Sequence, residues 1–227
     1  MPLESNPDVI NEFIQKLGFD IQKYAFNDLY DLEEQSLKQN SSKTLAALLT
    51  FPVDEKVNQF NENEKKEIIK KGQFINPKLY FMKQYAENAC GTIAIFNTVM
   101  NLIQDDHSFI QKDSLFDKFY KETIGLNPDE RGHHFKQLKE LKQQHVEAVQ
   151  NGETQYDYND DVFHHFVCLV SKNGILYELD GMKEFPINHG NTSKDSFLVD
   201  VARVFNEFVQ RSDEQMSYNV LVLQKND

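Results

Sequence analysis

The sequence predicts an α/β protein of the mixed, α+β kind, and three observations carry that expectation. Segments with helical spacing alternate along the chain with short apolar runs that read as strands. The clearest strand pair, Phe163–Val170 and Ile175–Leu179, is joined by Ser171, Lys172, Asn173 and Gly174, a hairpin signal that makes neighbouring strands antiparallel. The 227 residues, 40% of them hydrophobic and eighteen of them Phe, supply core enough for one compact unit, so a single domain over 1–227 is expected.

In chain order, Asn6-Pro7 reads as an N-cap followed by proline in the first turn. Val9, Ile10, Phe13, Ile14 and Leu17 then recur at helical spacing up to Gly18. Leu45–Phe51 is a buried strand ended by Pro52, Asn61–Lys71 a charged and exposed helix, and Leu79–Met82 a strand leading toward Cys90. From Cys90 onward Ile93, Phe96, Val99, Met100 and Ile103 mark one face while Ile95 and Leu102 make the rest apolar, so this helix should be buried all round. Helices follow at Ser114–Ile124 and around Phe135–Val149, then the hairpin, a helix over Lys194–Gln210 and a closing strand at Tyr218–Leu223. The segment Asn151–Asp161 is polar, acidic and without an aliphatic residue.

Composition narrows the function. A net charge of −12 opposes nucleic-acid binding, which needs Lys and Arg against phosphate, and favours a basic partner. No apolar stretch is long enough to cross a bilayer, and residues 1–6 show no secretory signal, so a soluble protein of a reducing compartment is expected. The two cysteines, Cys90 and Cys168, then argue against a disulfide framework. They also cannot supply a paired-ligand zinc motif, and no phosphate loop is present, so neither metal nor cofactor is expected.

The chemistry concentrates at Cys90. A thiol attacks a carbonyl as thiolate, and its ordinary pKa of about 8.5 leaves little thiolate at neutral pH. A helix start, with its dipole and unpaired N–H groups, favours the anion, and Gln84 lies near enough to share an oxyanion hole with the Cys90 N–H. The hairpin supplies a base. A four-residue loop sets His165 opposite Asp180, and a two-residue Asn173-Gly174 turn sets Asp180 opposite Val167, on the face of His165. An odd loop would exchange His165 for His164. Cys168 reads as packed core, while His133, His134 and His189 read as surface residues.

These residues resemble those of the ubiquitin C-terminal hydrolases, cysteine peptidases of the papain-like superclass, and in particular the short members made of the catalytic domain alone. The likeness spans nearly the whole chain and is specific in three blocks: Tyr80–Gln84 with Asn88–Thr92, His165–Val167, and Tyr177–Gly181 continuing into Phe185–Gly190. The resemblance implies a papain-like fold, with a central antiparallel sheet flanked by helices and a knotted backbone path. In it Asn151–Asp161 corresponds to the loop that crosses over the active site. It selects His165 over His164 and implies a triad of Cys90, His165 and Asp180, with Gln84 in the oxyanion hole. The implied reaction releases small adducts or short peptide extensions from the C-terminal glycine of ubiquitin. Asp28 and the segment Pro2, Leu3, Glu4 correspond to ubiquitin contacts. A cytoplasmic or nuclear monomer is implied. His164, Met182 and the proline-free 40–44 segment depart from the family pattern, which touches substrate preference. Two alternatives stand beside this reading: a hydrolase for a related modifier such as NEDD8, and a ubiquitin-binding module whose catalysis has decayed.

Overall fold

The computed structural model describes residues 2–150, 163–212 and 218–226. Six strands form one antiparallel sheet, β1 (Tyr24–Asp28), β2 (Thr44–Val53), β3 (Phe163–Lys172), β4 (Ile175–Leu179), β5 (Ile187–Asn191) and β6 (Asn219–Lys225), in the spatial order β1-β6-β2-β3-β4-β5. The helices are α1 (Pro7–Lys16), α2 (Glu34–Ser41), α3 (Glu55–Lys71), α4 (Cys90–Asp105), α5 (Leu115–Thr123), α6 (Pro128–Gln137), α7 (Lys139–Gln150) and α8 (Phe197–Arg211). The sheet flanked by helices is thus the one expected.

Strands β2, β3 and β6 are buried on both faces, which is why they read as unbroken apolar runs. One face, with Leu48, Phe166, Cys168, Val170, Leu221 and Leu223, lies in the core shared with α1 and α4, and α5 packs on α4 through Phe116 and Phe119 against Phe96. The other, with Ala47, Leu49, Val167, Leu169, Val220 and Val222, packs against α8, Leu37 of α2 and Val57 of α3. Each Val, Leu and Phe side chain among these contributes about 1.5–3 kcal/mol by leaving water. Together they hold β3 at the centre of the molecule, where it carries His165.

Several elements differ from expectation. Leu79–Met82 joins no sheet, because α4 supplies hydrogen bonds to Tyr80 and Met82. The helix expected around Phe135–Val149 breaks at Leu138, whose ψ of 103° is extended, and splits into α6 and α7. Helix α6 starts earlier, where Asn127 and Glu130 form a capping box on either side of Pro128. Helix α3 likewise starts at Glu55, because the Asp54 side chain accepts from Val57 N at 2.7 Å. The closing strand expected at Tyr218–Leu223 is present as β6, and it enters the sheet between β1 and β2.

Candidate active site

The run before Cys90 is fixed by two amides on a mostly apolar helix. Asn97 accepts from Met82 N (2.8 Å) and donates to Met82 O (3.2 Å). One turn on, Asn101 accepts from Tyr80 N (2.9 Å) and donates to Tyr80 O (2.8 Å). Both asparagines are buried, and they replace the strand partner this segment lacks. Arg131 of α6 takes Phe81 O at 3.0 Å and lies over the Tyr80 ring. The run therefore delivers Gln84 and the turn 85–89 to the start of α4 with little freedom.

That turn passes through Asn88, in the left-handed region at φ 55°, and ends on Ala89, which caps α4 without any side-chain hydrogen bond. Cys90 follows as the first helical residue, 2% exposed, and no acid lies in the first turn. Backbone N–H groups at such a helix start remain available to an anion, and Cys90 is the residue that opens it. Leu3, assigned by the resemblance to a contact with a partner, is instead buried at 1% and packs beside Gly91. An apolar side chain with room at the core leaves solvent, so its place is under the helix start and not on the surface.

The hairpin takes the two-residue alternative. Lys172 pairs with Ile175 and Cys168 with Leu179, while Asn173 and Gly174 occupy φ 50° and 77°. Asp180 continues β4 on the face of His165 in the diagonal position. His165 Nε2 and Asp180 Oδ1 lie 2.7 Å apart, with 7% and 4% of their side chains exposed. Asp180 Oδ1 also accepts from Met182 N at 2.8 Å. Burial pulls the His165 pKa down, but the Asp180 carboxylate outweighs it, the Cys90 thiol adds in the same direction, and the pKa is raised to about 10. His165 is therefore held as imidazolium, with Nε2 on Asp180 and Nδ1 left to exchange a proton with sulfur. The Phe51 ring meets the imidazole edge-on at 5.7 Å and fixes its plane. Gln84 N donates to Gly181 O at 2.8 Å, tying the nucleophile turn directly to the aspartate turn. Gln84 Nε2 donates to Ala86 O at 3.1 Å, and its Oε1 is buried without a hydrogen-bond partner among the described residues.

The other expected candidates separate cleanly. Cys168 is buried at 0%, and burial pushes its thiol pKa up to about 12, as suits packed core. His164 is half-buried in the alternate position of β3. His133 is exposed and stacks on Tyr85. His189 is not a surface residue: its ring is 7% exposed and lies 2.9 Å from the buried carboxylate of Glu178, because β5 folds it against β4. Asp28 ends β1, where Asn219 Nδ2 bonds both Asp28 Oδ1 (3.3 Å) and Ser5 Oγ (3.1 Å), so it adjoins the N-terminal segment. Pro2 and Glu4 are half-buried there. The expected crossover segment, Asn151–Asp161, lies outside the described residues. Among the described residues no group of three or more His, Cys, Asp or Glu is placed to hold a metal ion. A groove of about 420 Å³ opens beside the 85–89 turn, against Leu141, Lys142 and His145 of α7. Sequence reasoning missed Asn97 and Asn101, although two amides four apart on a mostly apolar helix were a visible signal.

A family model described as ubiquitin carboxyl-terminal hydrolase, family 1, matches residues 1–210. A ubiquitin carboxyl-terminal hydrolase of Drosophila melanogaster is 37% identical over 223 residues, covering 98% of this chain and 96% of that protein. Isozyme L1 of Rattus norvegicus is 36% identical over 224 residues, with 99% and 97% covered. Ubiquitin carboxyl-terminal hydrolase 3 of Arabidopsis thaliana is 33% identical over 225 residues, with 99% and 94% covered. Among solved structures, the Trichinella spiralis UCH37 catalytic domain bound to ubiquitin vinyl methyl ester superposes with a TM-score of 0.74. It is 21% identical, with 99% of this chain and 95% of that chain covered, and so shares the fold. A match this long, over a chain whose thiol, imidazole and carboxylate converge as described, means that the chain belongs to ubiquitin carboxyl-terminal hydrolase family 1.

Proposed function

We propose that the protein is a thiol-dependent deubiquitinase that hydrolyses the bond after the C-terminal glycine of ubiquitin. The observation that carries this is the buried 2.7 Å His165–Asp180 pair beside a thiol at the start of α4. Cys90 attacks the glycine carbonyl carbon as thiolate, its proton resting on His165. The tetrahedral oxyanion takes the Cys90 N–H and the Gln84 amide. Moving that amide from Ala86 O exchanges one hydrogen bond for another, and a bond of this kind contributes only about 0.5–1.5 kcal/mol. The imidazolium then protonates the leaving amine or thiol, which departs and leaves a thioester. Water, deprotonated by His165, hydrolyses that thioester, releasing the ubiquitin carboxylate and returning the thiolate–imidazolium pair. Asp180 keeps Nε2 occupied throughout, so the reacting nitrogen is always Nδ1.

Ubiquitin is the partner. Support comes from the solved relative, which is bound to a ubiquitin probe, and from the acidic charge of this chain, which suits a basic tail. Asp28, Pro2 and Glu4 form one edge of the face that receives it, with Leu3 acting from beneath. The enzyme works as a soluble monomer in the cytoplasm. Among the described residues no helix is long and apolar enough to cross a membrane.

Ubiquitin vinyl methyl ester is the decisive reagent. It should add one ubiquitin to the parent protein at Cys90, and none to Cys90→Ala, which should still bind ubiquitin. Labelling at Cys168 alone, or no labelling with ubiquitin bound, would sink the proposal, the latter in favour of a binding module. The same electrophile built on NEDD8 ranks the two modifiers.

A further inference from the structure

Beneath the aspartate turn lies a set of buried charges that the reaction above does not use. Glu178, two residues before Asp180 on β4, is fully buried. Its Oε1 lies 2.7 Å from Lys183 Nζ, and its Oε2 lies 2.9 Å from His189 Nε2. Lys183 Nζ also lies 2.7 Å from Glu64 Oε2 on α3, and Glu64 Oε1 is 3.8 Å from the Arg211 guanidinium of α8. One ammonium thereby links β4, α3 and, through Glu64, α8.

Resting on the deubiquitinase reading, we propose that Lys183 is a positioning residue for Asp180. The turn from Asp180 to Lys183 aims the carboxylate with two backbone bonds: Lys183 N donates to Asp180 O (3.0 Å), and Met182 N donates to Asp180 Oδ1 (2.8 Å). Both donors belong to a short exposed loop, in which Met182 is 67% exposed. The pair Lys65–Glu184, next along the loop, is half in water and anchors little. The buried Lys183 side chain is what fixes the far end of that turn to the protein interior. Burial pulls its pKa down, but the carboxylates of Glu178, Glu64 and Asp180 more than offset this, so the ammonium stays charged. Burial raises the Glu178 pKa, and Lys183 with His189 outweighs it and holds this carboxyl below the usual range. Buried ion pairs of this kind seldom add net stability over an apolar filling. What this one supplies is geometry: it sets where Oδ1 stands, and so which way the His165 ring faces.

The test separates charge from position. Lys183→Met alone strands the fully buried Glu178 carboxylate, so it is combined with Glu178→Gln, while Glu64, partly exposed, keeps Arg211 at 3.8 Å. On a fluorogenic amide of ubiquitin the double variant should keep a melting temperature near the parent's. Its kcat should fall by about tenfold or more, because a misaimed group near 1 Å out of place costs up to about a hundredfold. KM should stay within about twofold, since ubiquitin docks elsewhere. A folded double variant with the parent's kcat, or a loss wholly in KM, overturns the inference. Glu64→Gln, at the outer end of the network and 15% exposed, gives a second reading in case the double variant does not fold. It should lower kcat with KM unchanged, and an undiminished kcat would count equally against Lys183. Failure of the parent protein itself to hydrolyse the amide would fall on the deubiquitinase reading instead.

Discussion

Gly181 follows Asp180 directly, and a Cβ there would lie 2.7 Å from Ile93 Cγ2, 3.1 Å from Gln84 Cβ and 3.2 Å from Gln84 N. Carbon atoms meet comfortably at about 3.5–4.0 Å, so Gly181→Ala must part the aspartate turn from α4 by roughly 0.5–1 Å. Ile93 is fully packed and cannot yield. The 2.8 Å bond from Gln84 N to Gly181 O stretches with that movement, and the oxyanion donor moves away from the triad. Overpacking of this size should lower stability by about 1–3 kcal/mol. A displacement approaching 1 Å at the triad should lower kcat by up to about a hundredfold. Both are readable from urea unfolding and steady-state kinetics on a fluorogenic ubiquitin amide. Gly125→Ala is the control, because nothing lies within 4 Å of its added Cβ, and it should be neutral or stabilising by about 0.4–1 kcal/mol. If Gly181→Ala keeps the parent's stability and kcat, the two turns are not in the contact described, and the reasoning fails.

Four further outcomes are expected. Cys168→Ala should keep nearly full activity, with stability lower by about 1 kcal/mol or less, since it trims one small side chain from the core. His165 titrates near 6.5 when unfolded and near 10 when folded, so its stabilising contribution is whole below about pH 6.5 and is lost as pH rises toward 10. Denaturant unfolding across that range should show the decline, and Asp180→Asn should flatten it; a parent curve flat from pH 6.5 to 10 would contradict the pairing. Asn97→Leu orphans Met82 N and O in the interior, at about 1–3 kcal/mol for each group, and should lower the melting temperature well beyond the effect of an exposed change. Ubiquitin binding should weaken with added salt, and more weakly in Asp28→Ala, as expected where exposed charges are screened over about 8–10 Å; titration calorimetry at two ionic strengths that found no change would exclude a charge-guided interface.

The parts of the site legible in the sequence were those made by neighbours in the chain. Asn173-Gly174 signalled a hairpin, and either even loop puts Asp180 on the face of His165; the structure takes the two-residue turn, with positive φ at both positions. The unbroken apolar pattern after Cys90 likewise marked the start of a buried helix. Less legible were features whose partners lie far away. Leu79–Met82 has strand composition, yet its backbone is claimed by Asn97 and Asn101, and nothing within four residues distinguishes that from a ladder. His189 sits in a polar stretch, and only the pairing of β5 with β4 brings it against Glu178.

By itself, then, the sequence determined the helix start at Cys90, a hairpin whose even loops put His165 and Asp180 on one face, and the placement of Cys168 in the core. Each depends on backbone preference or apolar period over a handful of residues. Only the tertiary structure decided that the final strand enters the sheet between β1 and β2, that Leu3 lies under the nucleophile, that Gly181 touches Gln84, and that Lys183 joins Glu178 to Glu64. Those contacts link segments tens of residues apart. They follow from how whole layers fill space and cover one another's charges, and such packing leaves no period in the residues that take part.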